Sequence, residues 1–106
     1  MRVKYAMALV AGLLLGSSAL AAEFEVAQEN KDFTVKQLEI KVGDVVSFPN
    51  HDDFHHNVFS ISDAKTFDLG SYDKGDTRKV TFDNPGTVQV ECAIHPSMQM
   101  TIEVKK

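Results

Sequence analysis

Thr87-Val88-Gln89-Val90-Glu91-Cys92-Ala93-Ile94-His95-Pro96-Ser97-Met98-Gln99-Met100-Thr101-Ile102-Glu103-Val104-Lys105 alternates apolar and polar residues at both of its ends. A period of two marks a β-strand with one buried face. Val88, Val90 and Cys92 share one face of the first run, with Thr87, Gln89 and Glu91 on the other. In the second run Met100, Ile102 and Val104 point inward and Thr101, Glu103 and Lys105 outward. The strands are joined by a short loop carrying an imidazole and a thioether, entered through a thiol that parity aims at the interior.

The chain upstream breaks into similar short runs separated by turn residues, with no sustained helical period and no internal repeat. A first strand is expected over Phe24 to Gln28, ended by Glu29-Asn30-Lys31-Asp32. Gln37 to Val42 alternates with Leu38, Ile40 and Val42 inward; after the turn Gly43-Asp44, Val45 to Phe48 reads as its partner strand. Pro49 to Phe54 is a polar loop leading into a strand from His56 to Ile61. Residues 62 to 76 read mostly as loop, with one edge strand around Thr66 to Leu69. Thr77 to Phe82 alternates with Val80 and Phe82 inward, and Asp83-Asn84-Pro85-Gly86 is a turn with Gly86 supplying a positive φ. Strands at this spacing predict an all-β sandwich.

The N-terminus departs from this pattern. Met1-Arg2-Val3-Lys4 is a short basic start, Tyr5 to Leu15 is almost wholly apolar, and Ala19-Leu20-Ala21 offers a small-residue cleavage site. That is the plan of a secretory signal peptide, and the apolar run is well short of the ~20 residues a membrane span needs. Residues 1–21 are therefore expected to be removed, by a cut after Ala21 or Ala22, leaving residues 22–106 as one domain without a lipid or membrane anchor. Loss of Arg2 and Lys4 makes the formal charge two units more negative than the −4 of the full chain. That charge argues against nucleic acid and favours basic partners. Export favours disulfides, yet a single cysteine forms none internally, so Cys92 is intermolecular, reactive or metal-bound.

The metal-capable side chains segregate. Of the four histidines, His51, His55 and His56 lie in one window and His95 in another, with Met98 and Met100 just beyond it. Folding that brings the windows together assembles imidazole, thiolate and thioether, the donors of an electron-transfer copper site with His₂Cys and a weak axial Met. His56 opens a strand pattern, a more rigid platform than a loop tip. His51 and His55 are expected to be solvated histidines. Met100 continues the inward face of its strand and defaults to core packing, whereas Met98 lies in the loop.

Phe48-Pro49-Asn50 through His56-Asn57-Val58, with Pro85 through Met98, resembles the cupredoxins, or type 1 blue copper proteins, over essentially the whole domain. The Cys92, His95, Met98 spacing is similar to that of amicyanin within the plastocyanin/azurin-like group; the longer plastocyanin loop would select Met100. The resemblance implies a Greek-key β-sandwich of about seven to eight strands. It also implies one copper held by His56, Cys92, His95 and Met98, with Asn57 bonded across to the Cys92 loop. Two positions depart from the family pattern: Val90, where an aromatic is usual, and Met100, where relatives often carry a small residue.

The expected function is a monomeric periplasmic one-electron carrier, not an enzyme, cycling copper between Cu(I) and Cu(II). His95 is its electron-transfer edge, with Pro96, Ser97 and Phe54 around it and Asp52 and Asp53 either orienting a basic partner or serving as turn acids. Redox partners would be a c-type cytochrome or a periplasmic dehydrogenase or oxidase. The alternative is a copper chaperone or buffer, which His51, His55 and Met100 would serve. An enzyme built on Cys92 and His95 has no oxyanion motif and no third orienting residue.

Overall fold

The computed structural model describes residues 20–106, and all of the expected signal peptide up to residue 19 lies outside them. Eight strands and no helix are found among the described residues: β1 (Glu23–Glu25), β2 (Gln37–Lys41), β3 (Val45–Pro49), β4 (His56–Ser62), β5 (Lys65–Tyr72), β6 (Thr77–Thr81), β7 (Gly86–Cys92) and β8 (Gln99–Lys105). They form two sheets, β1-β3-β6 and β2-β8-β7-β4-β5. The sandwich encloses one core that includes Phe33, Phe48, Val58, Phe82, Val88 and Ile102.

The alternation in the opening stretch is realised residue by residue. Val88, Val90, Cys92, Met100, Ile102 and Val104 are all buried, and β7 and β8 pair antiparallel in the register Val88↔Ile102 and Val90↔Met100. That register explains both departures from the family pattern. Residues directly opposite on one face sit with Cβ atoms about 4.5–5.5 Å apart, so a small residue at 90 makes room for a long one at 100. Opposed in this way, the small and the long side chain share one space, as in the volume-conserving arrangements cores tolerate best.

Some expectations about the strands are corrected. Val45 to Phe48 is not the partner of β2: β3 belongs to the smaller sheet with β1 and β6, and β2 pairs parallel with β8. At Gly43, with φ of 97°, the chain leaves one sheet and crosses to the other, where the Gly43 N–H donates to the Phe82 carbonyl. Val42, expected inward, lies beyond the last ladder position of β2 and is exposed.

β5 is twice the length read from sequence, an edge strand running to Tyr72. Phe67 and Leu69 face the core, but the register against β4 slips between Asn57 and Phe59. Gly70, at φ of 72°, occupies the irregular stretch. A bulge inverts the inward parity, so Tyr72 is buried where simple alternation would expose it. A period-two reading sees that break as loop.

Gly86 has the positive φ expected, at 139°, but opens β7 instead of closing a turn, with only a bend at Asn84 before it. A Cβ added there would meet the Ala64 Cβ at 2.8 Å. Gly86→Ala therefore combines backbone strain with a clash, and is expected to lower unfolding free energy by roughly 1–3 kcal/mol in denaturant titrations.

Candidate metal centre

His56 opens β4 and Cys92 closes β7, adjacent strands that pair as Val58↔Cys92. The inward faces of both strands are set by their burial, so the imidazole and the thiol enter the same end of the core, each essentially inaccessible. The loop after Cys92 folds back: the Met98 N–H donates to the His95 carbonyl at 2.8 Å and the Cys92 N–H to the Met98 carbonyl at 3.3 Å. This returns His95 to the same point.

The result is a three-donor cluster. Cys92 Sγ lies 3.6 Å from His56 Nδ1 and 4.0 Å from His95 Nδ1, and the three ligand atoms all fall within 4.8 Å of one another. With bonds of about 2.3 Å to sulfur and 2.0–2.1 Å to nitrogen, a trigonal metal spaces those donors by ~3.8 Å. The two sulfur–nitrogen separations bracket that value. The two imidazole nitrogens, up to 4.8 Å apart, are wider than two such bonds span. Closing on a metal therefore draws the loop-borne His95 ring inward while the strand-borne donors stay in place. Met98 is fully buried in the loop and Met100 is buried in β8 against Val90.

The surrounding bonds hold the cluster in place. The Asn57 N–H donates to Cys92 Sγ at 3.5 Å, and the Ala93 N–H donates to the Asn57 carbonyl at 3.0 Å. The expected tie between Asn57 and the Cys92 loop is thus made by its backbone. Its side-chain amide instead donates to Asp68 Oδ1 at 3.0 Å, an oxygen that also accepts the Gly70 N–H. These two bonds hold the Asp68 carboxyl below its usual range.

Two polar residues organise the loop before β4: Asn50, to which the sequence reading gave no role, and Asp52. Asn50 is fully buried; its amide donates to the carbonyls of Phe54 and Tyr72 at 2.9 Å each, and its Oδ1 accepts the Asp52 N–H at 2.8 Å. Asp52 is only 8% exposed and accepts from His56 Nε2 at 2.7 Å. Burial works to raise its carboxyl, but the bonds from His56 and from the N–H groups of Lys31 and Asn30 outweigh that and hold it below the usual range. A carboxylate only accepts, so Nε2 carries a proton and Nδ1 is the nitrogen that faces Cys92. The Asx pattern of Pro49-Asn50-His51-Asp52 was a usable signal for a self-bonded turn; nothing local signalled the contact to His56.

The reading of Asp52 as a partner-facing or simple turn acid is corrected by that contact, and Asp53 is occupied by Lys74 at 2.8 Å. His51 and His55 are exposed, as expected, and pair with Glu29 and Asp73. The Phe54 ring lies against both imidazoles, T-shaped to His56 with centroids 5.3 Å apart and tilted to His95 at 5.4 Å. Phe54 and Ile94 are themselves exposed, with Ala93, Pro96 and Ser97, around a half-buried His95.

Comparison with known proteins agrees with this geometry. The methylamine utilization protein MauL of Methylorubrum extorquens is 34% identical over 87 residues, covering 81% of this chain and 76% of that protein. The chloroplastic plastocyanin of Physcomitrium patens is 31% identical over 108 residues, 92% of this chain and 64% of its own length. A reduced single-residue mutant of amicyanin superposes with a TM-score of 0.72 at 25% identity, over 83% of this chain and 86% of that one. The copper-containing nitrite reductase of Thermus scotoductus matches with a TM-score of 0.75 at 29% identity, over 89% of this chain but only 25% of the reductase. The model of the copper binding proteins of the plastocyanin/azurin family matches residues 20–105. The chain belongs to that family, and its cofactor is copper.

Proposed function

We propose that this protein is a one-electron carrier whose copper is held by His56, Cys92, His95 and Met98. The observation that carries the reading is the donor cluster itself: two imidazoles gathered around one thiol at sulfur–nitrogen separations that suit a trigonal metal, held by strand ends and backbone hydrogen bonds. Copper supplies the Cu(I)/Cu(II) couple, whose potential responds to the axial ligand and to hydrogen bonding at the sulfur. The chain's part is to keep the donors in one place in both states. Thiolate and thioether suit Cu(I) and imidazole suits both, so little has to move.

His95 is the half-buried ligand, ringed by Phe54, Ile94 and Pro96, and this apolar rim is the contact through which a partner would exchange electrons. The acidic domain suits a basic partner such as a c-type cytochrome, or a periplasmic dehydrogenase or oxidase. The Ala22 N–H donates to Asp44 Oδ1 at 2.9 Å, and the Val45 N–H to the Ala22 carbonyl. Both bonds tie Ala22 into the folded domain and so favour, for the periplasmic export read from the N-terminal segment, a cut after Ala21, which would set the new α-ammonium on Asp44. N-terminal sequencing of the secreted protein should begin at Ala22; a start at Glu23 would sink this part of the reading.

Adding Cu(II) to the purified domain is expected to produce an intense blue thiolate-to-copper band. A colourless protein that binds copper only as Cu(I) would support the chaperone reading. Against that reading, His51 and His55 are engaged with carboxylates and Met100 is core. The axial ligand is tested by a pair of variants. Met98→Ala should shift the visible spectrum and the reduction potential. Met100→Ala should leave the spectrum in place and lower stability by about 2–5 kcal/mol, because it empties the space beside Val90. The reverse pattern would assign Met100.

A further inference from the structure

The connection between β1 and β2 turns at Glu29-Asn30-Lys31-Asp32, where Glu29 and Asp32 exchange backbone hydrogen bonds at 2.8 and 3.2 Å. Both central residues are left-handed, with φ of 57° at Asn30 and 61° at Lys31. This is a tight mirror-image turn, which favours Asn at its first central position and Gly at its second. Lysine at the second position is strained, by on the order of 1–3 kcal/mol for such a backbone. The turn leaves the N–H groups of its two central residues pointing away from its own hydrogen bonds. Both are taken by one carboxylate: Asn30 N–H donates to Asp52 Oδ1 at 2.7 Å and Lys31 N–H to Asp52 Oδ2 at 3.0 Å. The second oxygen also accepts from His56 Nε2.

We propose that Asp52 is a positioning residue for His56, and that the left-handed turn at Asn30-Lys31 is the cradle that holds Asp52 on it. The conformation of a distant surface turn is thereby coupled to the copper's preference between its two oxidation states. This rests on the assignment of His56 as a copper ligand. A carboxylate on the outer nitrogen of a ligating histidine fixes the ring and raises its basicity, and removing it typically lowers metal affinity by 10–100-fold. A more basic imidazole favours the more highly charged ion, so Asp52 holds the reduction potential down. The cradle keeps the carboxylate there: one backbone donor of the turn takes each of its oxygens, and its own backbone N–H is held by Asn50.

Three substitutions test this in the full domain. Asp52→Asn is expected to move the Cu(I)/Cu(II) preference roughly tenfold toward Cu(I), about 59 mV for one electron, and to weaken Cu(II) binding. In the metal-free protein it should release His56 from the single Nε2–H tautomer, read from the ring ¹⁵N shifts. Lys31→Gly and Lys31→Val remove the same charge and the same side chain, and differ in whether the backbone accepts a positive φ. Glycine should keep the parent potential and raise the melting temperature. Valine should lower the melting temperature and move the potential in the direction of Asp52→Asn, and adding it to Asp52→Asn should move the potential no further.

If Asp52→Asn lowers the melting temperature with potential and tautomer unchanged, Asp52 is only a brace for the turn and the proposal fails. If Lys31→Val and Lys31→Gly share one potential, the cradle is not coupled to the metal. His56→Ala separates the premise: a blue band surviving that change would overturn the ligand assignment instead.

Discussion

Cys92→Ser is expected to extinguish the blue band completely and to weaken copper binding by more than the 10–100-fold typical of changes in the outer shell. The side chain is 1% exposed at the closing position of β7, where no alternative donor can swing in. Its sulfur faces Nδ1 of both His56 and His95, at 3.6 and 4.0 Å, and it accepts the Asn57 N–H. A hydroxyl occupies almost the same volume, so the sandwich should fold. What it lacks is a low enough pKa and the softness to ligate Cu(I). Visible absorption on Cu(II) titration, with far-UV circular dichroism as the control for folding, separates the two effects. A band that persists in Cys92→Ser would place the chromophore elsewhere and remove the basis of the carrier reading.

Phe82→Ala is expected to give the largest loss of stability. The ring is fully buried at the crossing between the two sheets and meets Phe67 edge-on at 6.1 Å, while its backbone brackets Gly43-Asp44. Phe→Ala in a core typically costs about 3–5 kcal/mol, out of a total of roughly 5–15 kcal/mol for a domain. At about 4–8 °C per kcal/mol for a domain of this size, the melting temperature should fall by on the order of 12–40 °C. None of the hydrogen bonds at the donor cluster involves Phe82, so the copper spectrum of the remaining folded protein should be unaltered. A change below 1 kcal/mol in urea unfolding would contradict the packing described.

Much of the site was legible because its donors are rare residue types in regular strands. With one cysteine in the chain, alternation through Val88 and Val90 was enough to orient Cys92, and the short loop delivered His95. His56 could be preferred over His51 and His55 because it begins a strand, and the structure puts it beside Cys92 while the others reach carboxylates on the surface. Asp52 was not legible. Its place depends on a turn more than twenty residues upstream, and no local period records a carboxylate facing a backbone contributed by another loop.

The sequence by itself determined the strand character of β7 and β8, the inward direction of Cys92, and the segregation of soft donors into two windows, because these follow from a period of two and from residue chemistry. Tertiary structure alone decided which strands pair. β3 leaves β2 for the other sheet at Gly43, the slip opposite Asn57 turns Tyr72 inward, and Val90 and Met100 become one compensated pair only once their register is set. It also decided that an acid read as a surface group braces a buried imidazole. Pairing, register and long-range hydrogen bonds depend on where distant segments meet, and that is settled by the packing of the whole core, not by any one stretch of chain.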